Sequence, residues 1–168
     1  MDKCTISCDV LVAGGGIAGV CTAISAARYG ADVVLCQDRS VLGGNASSEI
    51  RMHICGADFS GQRGAKLECE AREGGIVEEI RLENAARNPQ KSFSMMDLIL
   101  YEKCLAEENI QLFLDTCITG AEVDSRKIST VYANRESTEQ RFIFKASVYI
   151  DCTGDGRLGS EAGAEYTM

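Results

Sequence analysis

The stretch from Cys8 to Cys36 restricts the fold of this chain more than any other part of it. Cys8-Asp9-Val10-Leu11-Val12-Ala13 is a short, β-branched, nearly continuous apolar run, the pattern of a strand covered on both faces in a parallel sheet. Its place is the first, central strand. Gly14-Gly15-Gly16-Ile17-Ala18-Gly19 comes next without a gap and satisfies G-x-G-x-x-G. The Ala-rich segment after it predicts a helix over residues 17–29, with Val20, Ala23, Ile24 and Ala27 on one face and Gly30 in the left-handed position that ends it. Asp32-Val33-Val34-Leu35-Cys36 then reads as a second strand.

In such a strand-loop-helix unit each glycine has its own role. Gly14 allows the tight turn, Gly16 lets backbone approach a pyrophosphate, and Gly19 lets the helix pack closely on the sheet. The helix starting at Ile17 and Ala18 presents unpaired N–H groups and about half a positive charge to a dianionic bridge, so no lysine or arginine is needed there. The stretch therefore points to a dinucleotide. An acidic residue about 20 positions on would bind the ribose. Counting from Gly14 reaches Gln37, with Asp38 next, and the sequence leaves open which of the two does so.

Other classes are excluded by pattern and charge. Residues 10–27 carry no charge and contain Gly15-xxx-Gly19, yet three consecutive glycines weaken a membrane helix and a second strand follows at once. Lys3 and Asp9 also break any signal-peptide layout. With 17 Lys plus Arg against 25 Asp plus Glu, the net charge of -8 offers no footprint for nucleic acid or an anionic membrane surface, which leaves a small-molecule substrate. Nine cysteines are an odd number with no CxxC pair, so neither a disulfide scaffold nor a metal site is expected, and a reduced, cytoplasmic compartment is. Cys21, Cys36 and Cys152 read as small buried hydrophobes.

Two further motifs extend the first. Asp38-Arg39-Ser40-Val41-Leu42-Gly43-Gly44-Asn45-Ala46-Ser47-Ser48-Glu49 places a basic residue at the strand end and then a second glycine loop. Val148-Tyr149-Ile150-Asp151-Cys152-Thr153-Gly154-Asp155-Gly156 is an apolar strand that ends in Thr-Gly-Asp. Together with Gly75-Ile76-Val77-Glu78-Glu79 and Asp97-Leu98, this wording resembles the bacterial FAD-dependent oxidoreductase family of the glutathione-reductase-like flavoprotein superfamily. The resemblance implies FAD, bound extended, with electron transfer between the flavin and an unidentified small molecule. It implies that Arg39, Gly43, Gly44, Asn45 and Ser47 serve the second cofactor loop, and Thr153, Gly154 and Asp155 the third. The backbone of Cys117 and Ile118 would border the adenine. The superfamily's usual glutamate is replaced by Gln37, whereas Gln-Asp-Arg matches the narrower family. A non-catalytic nucleotide-binding module and an NAD-dependent dehydrogenase fragment are the alternatives.

Between the motifs, residues 71–88 show helical spacing with Ile76, Ile80, Leu82 and Ala86, and Pro89 comes soon after. Residues 95–108 read as a second helix burying Met96, Ile99, Leu100 and Cys104. Strands are expected at 111–114, 117–123, 127–132 and 141–150. The fold class is thus α/β: a Rossmann-like FAD-binding domain over residues 1–168, a parallel sheet with flanking helices, and a small antiparallel β insertion at about 111–147. His53, the sole histidine, is a weak catalytic candidate, because histidine alone titrates unperturbed near neutral pH. The resemblance further implies a truncated unit whose substrate domain is absent, with self-association through an exposed sheet edge.

Overall fold

A computed structural model describes residues 2–55 and 74–167. The chain runs β1 (Asp2–Ala13), α1 (Ile17–Arg28), β2 (Val33–Cys36), α2 (Gly75–Arg87), α3 (Phe93–Leu105), β3 (Ile110–Phe113), β4 (Cys117–Asp124), β5 (Lys127–Arg135), β6 (Gln140–Asp151) and α4 (Arg157–Glu161). Among the described residues six strands form one mixed sheet in the order β3-β2-β1-β6-β5-β4. β3, β2, β1 and β6 are mutually parallel, while β5 and β4 continue antiparallel from β6. The expected architecture of a parallel sheet, flanking helices and an antiparallel unit is present.

Two cores sandwich the parallel strands. On one face Val12, Val33 and Leu35 pack under Val20, Ala23, Ile24 and Ala27 of α1, Ile80 of α2, and Met96, Leu100 and Cys104 of α3. On the other, Leu11, Ala13, Val34 and Cys36 pack against Ile118, Val131, Phe142 and Phe144. Phe113 meets Phe142 and Phe144 edge-on at 5.1 and 5.3 Å between ring centroids, contacts worth about 0.5–1.5 kcal/mol each beyond the area they bury.

One strand pair serves both layers because it changes phase. Ile6 and Cys8, then Leu11 and Ala13, face the second core on β1; Phe142, Phe144 and Ala146, then Tyr149, do so on β6. The alternation slips between Cys8 and Leu11 and directly opposite, between Ala146 and Tyr149, while the pairing stays in register on both sides. The slip is held by hydrogen bonds. Asp9 and Val10 both donate their N–H to the Asp32 carbonyl, Asp32 returns its N–H to the Asp9 carboxylate at 2.9 Å, and Ala146 N–H reaches the Tyr149 hydroxyl.

Several sequence expectations need correction. β1 begins at Asp2 rather than Cys8, because its polar front half finds partners along β6 from Gln140 to Ala146. β3 lies outside the antiparallel unit: it pairs parallel with β2, the two joined through α2 and α3. Of the face proposed for α2, Ile80 is buried, but Leu82 and Ala86 are exposed, because α2 meets its neighbours along a narrow stripe and its other sides carry charge. The front of that expected helix, residues 71–73, lies outside the described residues. α3 buries Met96, Ile99, Leu100 and Cys104 as expected. Cys36 is buried, whereas Cys21 and Cys152 are only partly so.

Candidate functional site

The first glycine loop is shaped by what crowds it. Gly14 has φ +97°, and a β-carbon there would lie 2.5 Å from the Cys152 carbonyl oxygen. A β-carbon at Gly19 would collide with the Gly14 carbonyl oxygen, so α1 sits directly on the loop. Gly16 differs, because a β-carbon there would meet nothing within 4 Å. Gly16 also begins α1, which has no side-chain cap and no acidic residue in its first turn. The amides of Ile17, Ala18 and Gly19 precede the first helical bond, from Val20 N–H to the Gly16 carbonyl at 2.9 Å. These free amides, with open space beside Gly16, could hold an anion.

The second loop is welded to the first through main chain. Gly43 N–H donates to the Gly15 carbonyl at 2.8 Å, and Gly16 and Gly43 form an isolated parallel bridge. Gly43 (φ +108°) and Gly44 (φ +57°) occupy the left-handed region, which the tight passage requires. Gln37, buried, ties the two loops together: its Oε1 accepts Gly15 N–H at 2.6 Å and its Nε2 donates to the Val41 carbonyl at 3.3 Å. Its amide is therefore committed to the loops, and Asp38 stands exposed at the strand end. Asn45 is exposed and Ser47 fully buried, its hydroxyl accepting Glu49 N–H. Arg39 pairs with Glu49 at 2.7 Å, which raises its pKa, and thus braces the loop from outside. Asp97 of α3 accepts Ser48 N–H at 2.9 Å.

The third loop closes against the first from the far side. Cys152 N–H donates to the Ala13 carbonyl at 2.7 Å, placing Thr153 beside Gly14. Asp151 organises the chain beyond β6: Oδ1 accepts the Thr153 N–H and hydroxyl at 2.9 and 2.6 Å, and Oδ2 accepts Gly159 N–H at 2.8 Å. Burial pushes this carboxyl up, but the Thr153 hydroxyl and the backbone N–H groups of Gly159, Thr153 and Leu158 outweigh it and hold its pKa below the ordinary value. Thr153 in turn accepts Arg157 N–H at 2.7 Å. Gly154 and Asp155 are exposed, with open space around Gly154.

All three loops leave the carboxyl ends of β1, β2 and β6, and β1 lies where the sheet order reverses, the place where open α/β sheets bind ligands. At the outer end, beside β2, the turn into β4 is fastened to the strand end: Thr116 N–H donates to the Gln37 carbonyl at 2.8 Å and Asp115 N–H to the Arg39 carbonyl at 3.0 Å. Cys117 and Ile118 start β4 next to this seam, the first exposed and the second buried. His53 is exposed on the segment leaving the second loop, and nothing in the described structure brings it against the other site residues.

The sequence reading missed three groups. Asp151 had a local signal, an Asp two residues before a Thr at a strand end, the spacing of a side-chain-closed turn. Asp97 and the role of Gln37 depend on segments far apart in sequence and had none.

A family model described as FAD dependent oxidoreductase matches residues 9–168. No curated protein matches the chain. Solved structures with the same fold include a geranylgeranyl bacteriochlorophyll reductase-like protein from Thermoplasma acidophilum, at TM-score 0.61 and 17% identity over 96% of this chain and 43% of that one. A variant of E. coli quinol fumarate reductase aligns at TM-score 0.59 and 18% identity, over 89% of this chain and 33% of that one. L-proline dehydrogenase from P. horikoshii aligns at TM-score 0.53 and 18% identity, over 92% and 24%. The chain thus spans less than half the length of these proteins.

Proposed function

The chain belongs to the FAD dependent oxidoreductase family, and on that premise we propose that it is the FAD-holding portion of an enzyme that moves electrons between a small-molecule substrate and the flavin. FAD is the family's cofactor, and it supplies the electron-transfer chemistry when bound. The observation that carries the reading is the meeting of three loops around one open cradle: Gly16, with space where a β-carbon would be, the uncapped start of α1, and the two loops that flank it.

In this reading the amides of Ile17, Ala18 and Gly19 hold the pyrophosphate and Gly16 admits it. Asp38 takes the ribose hydroxyls, since the Gln37 amide already serves Gly15 and Val41. The backbone of Cys117 and Ile118 borders the adenine. Gly43, Gly44 and Asn45 line the ribityl side, the buried Ser47 shapes that loop through Glu49 N–H, and Asp155 meets the ribityl hydroxyls from the third loop. Arg39 and Thr153 act by fixing loop shape through Glu49 and Asp151. Membership of the glutathione-reductase-like superfamily is supported by the antiparallel unit packed over the sheet face opposite the helices. A second glycine loop joined to the first suits FAD better than a nicotinamide dinucleotide, which does not require one.

Purified protein should carry or take up a yellow chromophore with flavin absorbance, and denaturation should release FAD. Protein that takes up no flavin at saturating FAD refutes the proposal.

A further inference from the structure

We infer that Arg135, at the end of β5, is a positioning residue for the adenosine half of FAD; the inference rests on the cofactor placement above. Its guanidinium lies over the rings of Phe113 and Phe142, 5.6 and 5.1 Å from their centroids, and its Nε donates to the Leu114 carbonyl at 3.0 Å and the Thr116 hydroxyl at 3.1 Å. The Thr116 hydroxyl itself donates to the Leu114 carbonyl at 2.7 Å. One partly buried cation thus closes the turn between β3 and β4, beside the aromatic side chains of the second core.

That turn carries no site residue but determines where two of them lie. Asp115, in the left-handed region at φ +52°, donates its N–H to the Arg39 carbonyl, and Thr116 donates to the Gln37 carbonyl. The Thr116 carbonyl accepts the buried Cys36 thiol at 3.1 Å. Arg135 therefore fixes the turn, and the turn fixes the backbone of Cys117 and Ile118 against the strand end that bears Asp38. The flavin half of the site is held by other contacts, the glycine loops and Asp97. Loss of the Arg135 donors should loosen the adenosine end alone.

The flavin-phosphate half of the cofactor is available as FMN, which separates local from general damage. Affinities for FAD and FMN are measured in the full chain for wild type, Arg135→Met, Arg135→Lys and Thr116→Val. Arg135→Met keeps the chain length over Phe113 and Phe142 but removes the donors. It should weaken FAD about tenfold, as expected when hydrogen bonds from a charged group are lost, and FMN by less than twofold. Arg135→Lys should recover part of the loss, and Thr116→Val should shift the FAD:FMN ratio in the same direction by a smaller factor. If Arg135→Met misfolds, Thr116→Val carries the test. Equal weakening of FAD and FMN, or an unchanged ratio in both variants, overturns the inference. Wild-type protein with no preference for FAD over FMN would instead refute the placement of the adenosine end, and Arg135 would fall with it.

Discussion

The two ends of the site are built by different means. Around Gly14 and Gly19 the loops are fixed by backbone against backbone, with distances that leave no room for a β-carbon. Around Asp38 and Cys117 the turn is fixed by side chains, Arg135 and Thr116, reaching carbonyls. At Gly14 and Gly19 the first construction leaves no room for a side chain. The second is graded, since each donor can be removed separately. Where a dianion must lie close to main chain, side chains are obstacles, whereas a planar ring and its ribose leave room for side chains to do the positioning.

Gly19→Ala should have the largest effect. Its β-carbon would press on the Gly14 carbonyl, so the helix or the loop must shift, at a cost of about 3 kcal/mol in denaturant unfolding. A near-neutral result would break the contrast between the two ends. Gln37→Leu comes next: it leaves the Gly15 N–H buried without its acceptor, and thermal unfolding should register a loss of about 1–3 kcal/mol even without cofactor. Gly16→Val should sharpen the comparison within a single loop. It meets open space and adopts extended backbone, so apo stability should stay close to wild type while FAD affinity falls about tenfold or more, equivalent to ~1.4 kcal/mol, by titration.

Asp155→Ala should be milder: with its exposed carboxylate on the ribityl hydroxyls as proposed, the change weakens FAD by about 1 kcal/mol and leaves apo stability unchanged. The smallest effect is expected from acid acting on Asp151. Its folded-state pKa is depressed, so its contribution is present above the ordinary value of 3.8 and is lost as pH falls through the lower folded value. Asp151→Asn should flatten that acid limb of the stability profile, and an unchanged limb would show that the Thr153 and Gly159 contacts do not hold the loop.

What could be read from the sequence divides along the same line. The first loop was legible because its requirements are local: Gly14, Gly16 and Gly19 lie within one strand-turn-helix unit and their spacing is the geometry. The face of α3 was legible for the same reason. β1 from Asp2 to Ser7 was not, since its polar residues become a strand only by pairing with β6. Its phase slip escapes pattern reading because the slip is meaningful only beside the matching slip near Ser147. Arg135 reads as an ordinary charge between two strands until Phe113, Leu114 and Thr116 are brought under it.

The packing of Cys152 against Gly14 also sets a timetable. The loop at Gly14 leaves the ribosome ahead of the surface that shapes it, since the Cys152 N–H that reaches the Ala13 carbonyl arrives roughly 140 residues later. At usual translation speeds the delay is on the order of ten seconds. During that time β2 can pair on one side of β1 while its partner on the other side, β6, has yet to be made. The nascent chain must keep an apolar, half-paired strand out of trouble until β6 docks. A stall in translation before β6 emerges is therefore the moment at which this protein is most open to capture by a chaperone or by another strand.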